Sequence, residues 1–266
     1  MDRKMVCVRF LRGTGNPEKV VIYWLSETIG LTYRFEGGYR QMRVLFVGNS
    51  HTYFNDMPCL FAEICRYNRV ETDVVMLAHG GKGLDFHRKE PEVRFNIRYG
   101  GYDAIILQHT AHPMGDLEEM RQAAGQLAEW AVSAGSLPVF YMTWTAKRDG
   151  ASRQSPMSRA YRRLGEENSC PVAPVGEVWW RFHQLAEKEE LYAPDGEHAS
   201  PLGSLLAAHT IATTVTGALG LSAGLDLPAG LFPKAASSEA RPLLCRAAAE
   251  ILSQTPAPDW DGRAVR

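Results

Sequence analysis

The sequence predicts an α/β domain built on a mainly parallel sheet, and three observations carry that expectation. Short continuous apolar runs recur at 43–48, 72–78, 103–108 and 137–143, separated by helix-length amphipathic segments. Their continuity, in place of strict alternation, marks strands covered on both faces, as in a parallel sheet with crossover helices. The composition agrees, since 266 residues with 45% hydrophobic and 22% charged content suit one large globular domain.

Residues 1–41 stand apart from this pattern. "GTGNPEK" and "RFEGGYRQ" are turn-rich, and only "KVVIYWL" is strand-like. The segment is either an added hairpin or an upstream extension with Met42 as the true first residue, and the second reading is preferred. The domain is then expected over 42–253, with a tail at 254–266. In "DLEEMRQAAGQLAEWAVSAG", Leu117, Met120, Ala124, Leu127 and Ala131 fall near helical spacing, Asp116 can cap the start and Gly135 can end it. "SRAYRRLGEEN" and "WWRFHQLAEKEE" read as further helices, and "SPLGSLLAAHTIATTVTGALG" as a long C-terminal one.

Charge and spacing narrow the function. The 29 basic and 30 acidic side chains leave a formal charge of -1, which provides no broad positive field for nucleic acid or an anionic membrane. The longest apolar runs fall far short of the roughly 20 residues that span a bilayer. Arg9 and Arg12 interrupt what would be a secretory core, so no signal peptide and a cytoplasmic location are expected. Five cysteines without a C-x-x-C pair suggest reduced thiols, not a disulfide framework or zinc finger. "GGKG" lacks the register of a phosphate loop, so nucleotide binding is a poor third reading. The expected partner is a small molecule or a carbohydrate, with no cofactor and no metal.

The chemistry centres on "MRVLFVGNSHTYFNDMP", where a strand ends on Ser50. A polar residue beyond the carboxyl end of a strand lies where open α/β sheets bind ligands. By residue type alone, capping a turn is serine's commoner role. A nucleophilic serine needs a base, usually a histidine oriented by a carboxylate. "DGEH" supplies Asp195 and His198, three residues apart, a spacing that can bring both side chains to one face of a turn. The alternative leaves Asp195 as a turn residue and His198 at a helix start.

"VGNS" at 47–50 and "DGEH" at 195–198, in that order, resemble the first and last blocks of the SGNH, or GDSL-like, hydrolase superfamily. The resemblance covers roughly residues 42–220. It implies a flavodoxin-like three-layer α/β/α fold and an esterase with Ser50 as nucleophile, His198 as base and Asp195 as its orienting carboxylate. It also implies an oxyanion hole from the N–H groups of Ser50 and Gly81. After the third strand "LQHTAHP" departs from the family's Gly-x-Asn-Asp block, and Gln108 is expected either to substitute as amide donor or to satisfy loop backbone. The resemblance suggests small acyl groups, such as acetate on carbohydrate. A catalytically silent SGNH-like domain that binds glycan or protein is the alternative.

His51, His109 and His112 are expected to line the substrate mouth, since no carboxylate or thiol cluster completes a metal ligand set around them. Trp144, Trp179 and Trp180 are either a sugar platform or core packing.

Overall fold

The computed structural model describes residues 40–222 and 224–255. The expectations for 1–39 and for 256–266 lie outside the described residues. Among the described residues five parallel strands form the sheet: β1 (Arg40–Gly48), β2 (Val70–Ala78), β3 (Ala104–Leu107), β4 (Leu137–Tyr141) and β5 (Val172–Ala173). Their order, β2-β1-β3-β4-β5, is the doubly wound flavodoxin-like arrangement that the sequence predicts. β5 escaped the reading because two residues between prolines carry no periodicity.

The helices are α1 (Ser50–Tyr53), α2 (Met57–Tyr67), α3 (Leu84–His87), α4 (Pro91–Tyr99), α5 (Leu117–Ser133), α6 (Gln154–Asn168), α7 (Val175–Leu185), α8 (Pro201–Ala218) and α9 (Ala240–Leu252). The β1 side chains divide between two cores because successive residues point to opposite faces. Met42, Val44 and Phe46 pack with α2, α7, α8 and α9, whereas Leu45 and Val47 pack with α3, α4, α5 and α6. Continuous apolar character in the strand follows from this two-sided burial.

α5 begins where expected: Asp116 caps it by accepting from Glu118 N and Glu119 N. α8 starts at Pro201 behind the Ser200 cap, which accepts from Gly203 N at 3.1 Å. Buried on nearly all sides, α8 satisfies Thr210 and Thr216 by donation to the carbonyls of Leu206 and Ala212. α7 ends at Leu185, short of the expected run, and α9 lies in the Ala- and Pro-rich stretch that offered no clear helical signal. Among the described residues no helix is long and apolar enough to cross a membrane.

The loops after β1, β2, β3 and β4 meet at the carboxyl edge of the sheet, where the order reverses between β1 and β3. β1 begins at Arg40, paired with Val70, so a boundary at Met42 falls inside the strand. A chain beginning at Arg40 is expected to fold with the full β1–β2 register. One beginning at Met42 loses the Arg40–Val70 and Gln41–Glu71 pairs. It should still fold but melt lower, by about 1 kcal/mol or roughly 2–4 °C. Thermal melts of the two truncated chains compare them directly.

Candidate active site

Ser50 opens α1, directly after β1 and the cap residue Asn49. Its Oγ lies 2.8 Å from His198 Nε2, and His198 Nδ1 lies 2.6 Å from Asp195 Oδ2. A carboxylate can only accept, so Nδ1 carries the hydrogen, Nε2 is the acceptor and the serine hydroxyl donates to it. Asp195 Oδ1 also accepts from Glu197 N and His198 N, each at 2.9 Å. The Glu197 N–H, followed by the His198 side chain and N–H, holds the Asp195 carboxyl down at about 2, against the opposing effect of burial. Serine, imidazole and ionised carboxylate thus stand in a hydrogen-bonded line across 148 residues of sequence. Such a line lets the imidazole take the hydroxyl proton.

The serine turn is braced from below by Gln108, which is fully buried. Its Oε1 accepts from Asn49 N at 2.8 Å and from Thr52 Oγ1 at 3.0 Å, while its Nε2 donates to His109 O. The amide therefore serves the loop backbone, the second of the two roles the sequence allowed, and one of its two N–H bonds is given to His109 O. Gly48 is required by the same packing, because a Cβ there would overlap Thr52 Oγ1 and Gln108 Oε1. His87, buried and lowered to about 4 mainly by burial, donates Nε2–H to Gly48 O at 2.8 Å.

Asn49 ties this turn to the loop after β2. Its Oδ1 accepts from His51 N, and its Nδ2 donates to Lys82 O at 2.9 Å. The neighbouring Gly81 has φ +69°, a left-handed conformation that favours glycine. Among the described residues, the N–H groups of Ser50 and Gly81 have no hydrogen-bond partner.

The three histidines expected at the substrate mouth separate. His51 lies with its ring centroid 5.2 Å from each of His198, His112 and Trp144. Both its ring nitrogens are buried without a well-formed hydrogen bond, and burial lowers it to about 3. His112 borders it, half-buried, and burial lowers it too. His109 borders the groove beside Gly81, but its ring nitrogens are taken: its Nδ1 accepts from Leu84 N at 3.0 Å and its Nε2 donates to Met114 O at 2.8 Å. With both nitrogens engaged and 3% exposure, it is a strut between loops. Among the described residues no three His, Cys, Asp or Glu side chains come together to hold a metal ion.

The tryptophans also resolve. Trp144 and Trp179 are fully buried and stack at 4.0 Å and 6°, so neither forms a sugar platform. Trp144 instead donates Nε1–H to Glu197 O at 2.9 Å, holding the segment that carries His198. Lys147 N donates to Gly196 O at 2.8 Å in the same loop, and Arg148 pairs with Glu197. Half-buried Trp180 donates to Thr145 Oγ1. These struts join residues 35 to 53 positions apart, and no local motif announces them.

No protein-family model and no curated protein sequence matches the chain. Solved structures do match, at the level of fold. A DUF4886 family protein from Bacteroides uniformis is 13% identical, with a TM-score of 0.57 over 83% of this chain and 98% of that one. The lipase/acylhydrolase from Enterococcus faecalis is 15% identical, with a TM-score of 0.53 over 66% of this chain and 96% of that one. An acetylxylan esterase from Geobacillus stearothermophilus, solved as a catalytic mutant, is 12% identical, with a TM-score of 0.54 over 66% and 95%. The chain has the SGNH, or GDSL-like, hydrolase fold that the sequence blocks suggested.

Replacing Gln108 by leucine leaves Asn49 N–H and the Thr52 hydroxyl buried without their acceptor. The variant is expected to lose about 1–3 kcal/mol, roughly 3–10 °C in melting temperature. Differential scanning calorimetry measures it; an unchanged melting temperature would remove Gln108 from its bracing role.

Proposed function

We propose that the chain is a serine-dependent hydrolase of acyl esters that works through an acyl-enzyme, with Ser50 as nucleophile, His198 as base and Asp195 as its orienting carboxylate. The observation that carries this reading is the hydrogen-bonded line from Ser50 Oγ through the imidazole to Asp195, at 2.8 and 2.6 Å. Ser50 Oγ attacks the ester carbonyl while its proton passes to His198 Nε2. The tetrahedral intermediate then expels the alcohol, which leaves with the proton from Nε2. Water enters, gives a proton to His198 and attacks the acyl-serine; the carboxylic acid departs and the hydroxyl is restored. Asp195 stays ionised throughout, steadying the imidazolium each time it forms.

The unpartnered N–H groups of Ser50 and Gly81 are the donors for the developing oxyanion. The Asn49 amide, by gripping Lys82 O, keeps the Gly81 loop against the serine turn. Beyond Gly81 an open groove of about 450 Å³ runs past Lys82, Phe86 and Asp116. Its polar lining suits the alcohol half of the ester. Small acyl groups on a carbohydrate alcohol are the substrate class this reading favours, supported by the acetylxylan esterase among the fold neighbours. His51 and His112 wall the space beside His198 and, as desolvated neutral imidazoles, keep that side of the site uncharged.

Ser50→Ala and His198→Ala are each expected to lower p-nitrophenyl acetate turnover on the order of 10⁴-fold or more, with circular dichroism spectra like that of the wild type. A fluorophosphonate should label the intact protein at Ser50, located by peptide mapping. Wild-type turnover in Ser50→Ala, or a label elsewhere, would sink the assignment; an inert wild type would favour a binding domain. With Asp195 held near 2, activity lost on the acid side down to about pH 4 follows protonation of the base and not of Asp195. A pH profile of kcat/KM checks this, because Asp195→Asn should reduce the plateau without creating a new acid-side step.

A further inference from the structure

We propose that Phe54 is a positioning residue for His198, stacked on the imidazole so as to fix its plane and favour its protonated form, and that the left-handed turn after Phe54 serves to hold it there. The inference rests on the assignment of Ser50, His198 and Asp195 as the reacting groups. The Phe54 ring lies 4.1 Å from the His198 ring with an interplanar angle of 12°. It is half-buried and belongs to neither core cluster, so its large apolar face is committed to the imidazole.

The backbone supports this placement at some strain. Asn55 (φ 53°, ψ 30°) and Asp56 (φ 52°, ψ 42°) are consecutive left-handed residues, neither of them glycine. Phe54 itself leaves the helix (φ −57°, ψ 137°), and the two left-handed residues turn the chain from there into α2. The strained turn is anchored to the loop it serves: Asn55 Nδ2 donates to Ala199 O and to Ser204 Oγ, each at 2.9 Å. Ala199 directly follows His198, so aromatic ring, turn and base are tied together.

Chemistry gives the stack its use. Rotation of the imidazole would break its bonds to both Ser50 and Asp195, and a flat aromatic neighbour opposes that rotation. When Nε2 takes the serine proton, the ring becomes a cation over a π face, which is an attractive arrangement. Among the described residues the other groups facing His198 are Asp195 and Glu197 on its own loop, Ser50 and His51 from α1, His112 from the loop after β3, and Arg148, paired with Glu197, from the loop after β4. None of them lies flat on the ring; His51 is tilted by 34° at 5.2 Å.

The test compares Phe54→Leu, Phe54→Tyr and Ser50→Ala in the full chain, using p-nitrophenyl acetate, pH profiles and thermal melts. Phe54→Leu should lower kcat about two- to thirtyfold with KM within about twofold and a melting temperature within about 3 °C of wild type. Its acid limb should move to lower pH, because an imidazolium without its aromatic partner gives up its proton more readily. Phe54→Tyr should recover both kcat and the position of the limb. Wild-type kcat with an unmoved limb in Phe54→Leu would overturn the proposal. So would a fall in kcat that merely follows a lost folded fraction. Wild-type turnover in Ser50→Ala would instead overturn the assignment of the reacting groups, and the proposal with it.

Discussion

The amide oxygen of Gln108 accepts hydrogen bonds from Asn49 N and Thr52 Oγ1 inside a fully buried pocket, and the placing of Ser50 depends on that acceptor. A buried N–H and a buried hydroxyl need partners, and few geometries satisfy both at once. The same residue hands its own hydrogen to His109 O, and His109 in turn accepts from Leu84 N. Asn49 extends the network to Lys82 O. The loops after three adjacent strands therefore share one set of buried polar contacts, and only glycine fits at position 48 above the amide. Because the network joins the loops of neighbouring strands, the serine turn inherits the rigidity of the sheet.

The imidazole of His198 is held by a separate scaffold. His198 precedes α8, and its segment is gripped from one side by the loop after β4, through Trp144, Lys147 and Arg148. From the other side Asn55 holds Ala199 O and Phe54 covers the ring. Trp144 can act this way because its ring is locked flat against Trp179 within the core that also holds α7 and α8. Hydrophobic packing thus sets the direction of one indole N–H, which sets the peptide before His198. A side chain that looks like bulk in the core thereby reaches the site through a single hydrogen bond.

Around the hydrogen-bonded line the electrostatics run in one direction. Burial lowers His51 and His112, leaving them neutral beside His198, while hydrogen bonds hold Asp195 ionised. One negative charge therefore faces the imidazole at short range, while the exposed Arg148–Glu197 pair nearby is neutral as a whole. Such a setting suits the role proposed for His198, that of a group taking up a proton in passing.

The chain's pattern alone determined the layered α/β class, the helical stretch behind Asp116 and the Ser200–Pro201 start of α8, while Ser50, Asp195 and His198 were singled out by short blocks that resemble those of a known superfamily. Those features depend on periodicity, on local caps and on short motifs, all of which are encoded within a few residues. Only the tertiary structure decided that Gln108 and His109 brace loops, that Trp144 and Trp179 lie in the core, and that Phe54 rests on the imidazole. Glutamine, histidine and tryptophan can each serve a ligand or the protein's own backbone, and the choice is made by whichever donor or acceptor folding brings within reach. Those partners lie 59 residues away for Gln108 and Asn49, 53 for Trp144 and Glu197 and 148 for Ser50 and His198. No local pattern records contacts at such separations, since burial of the sheet's two faces, and not the order of neighbours along the chain, creates them.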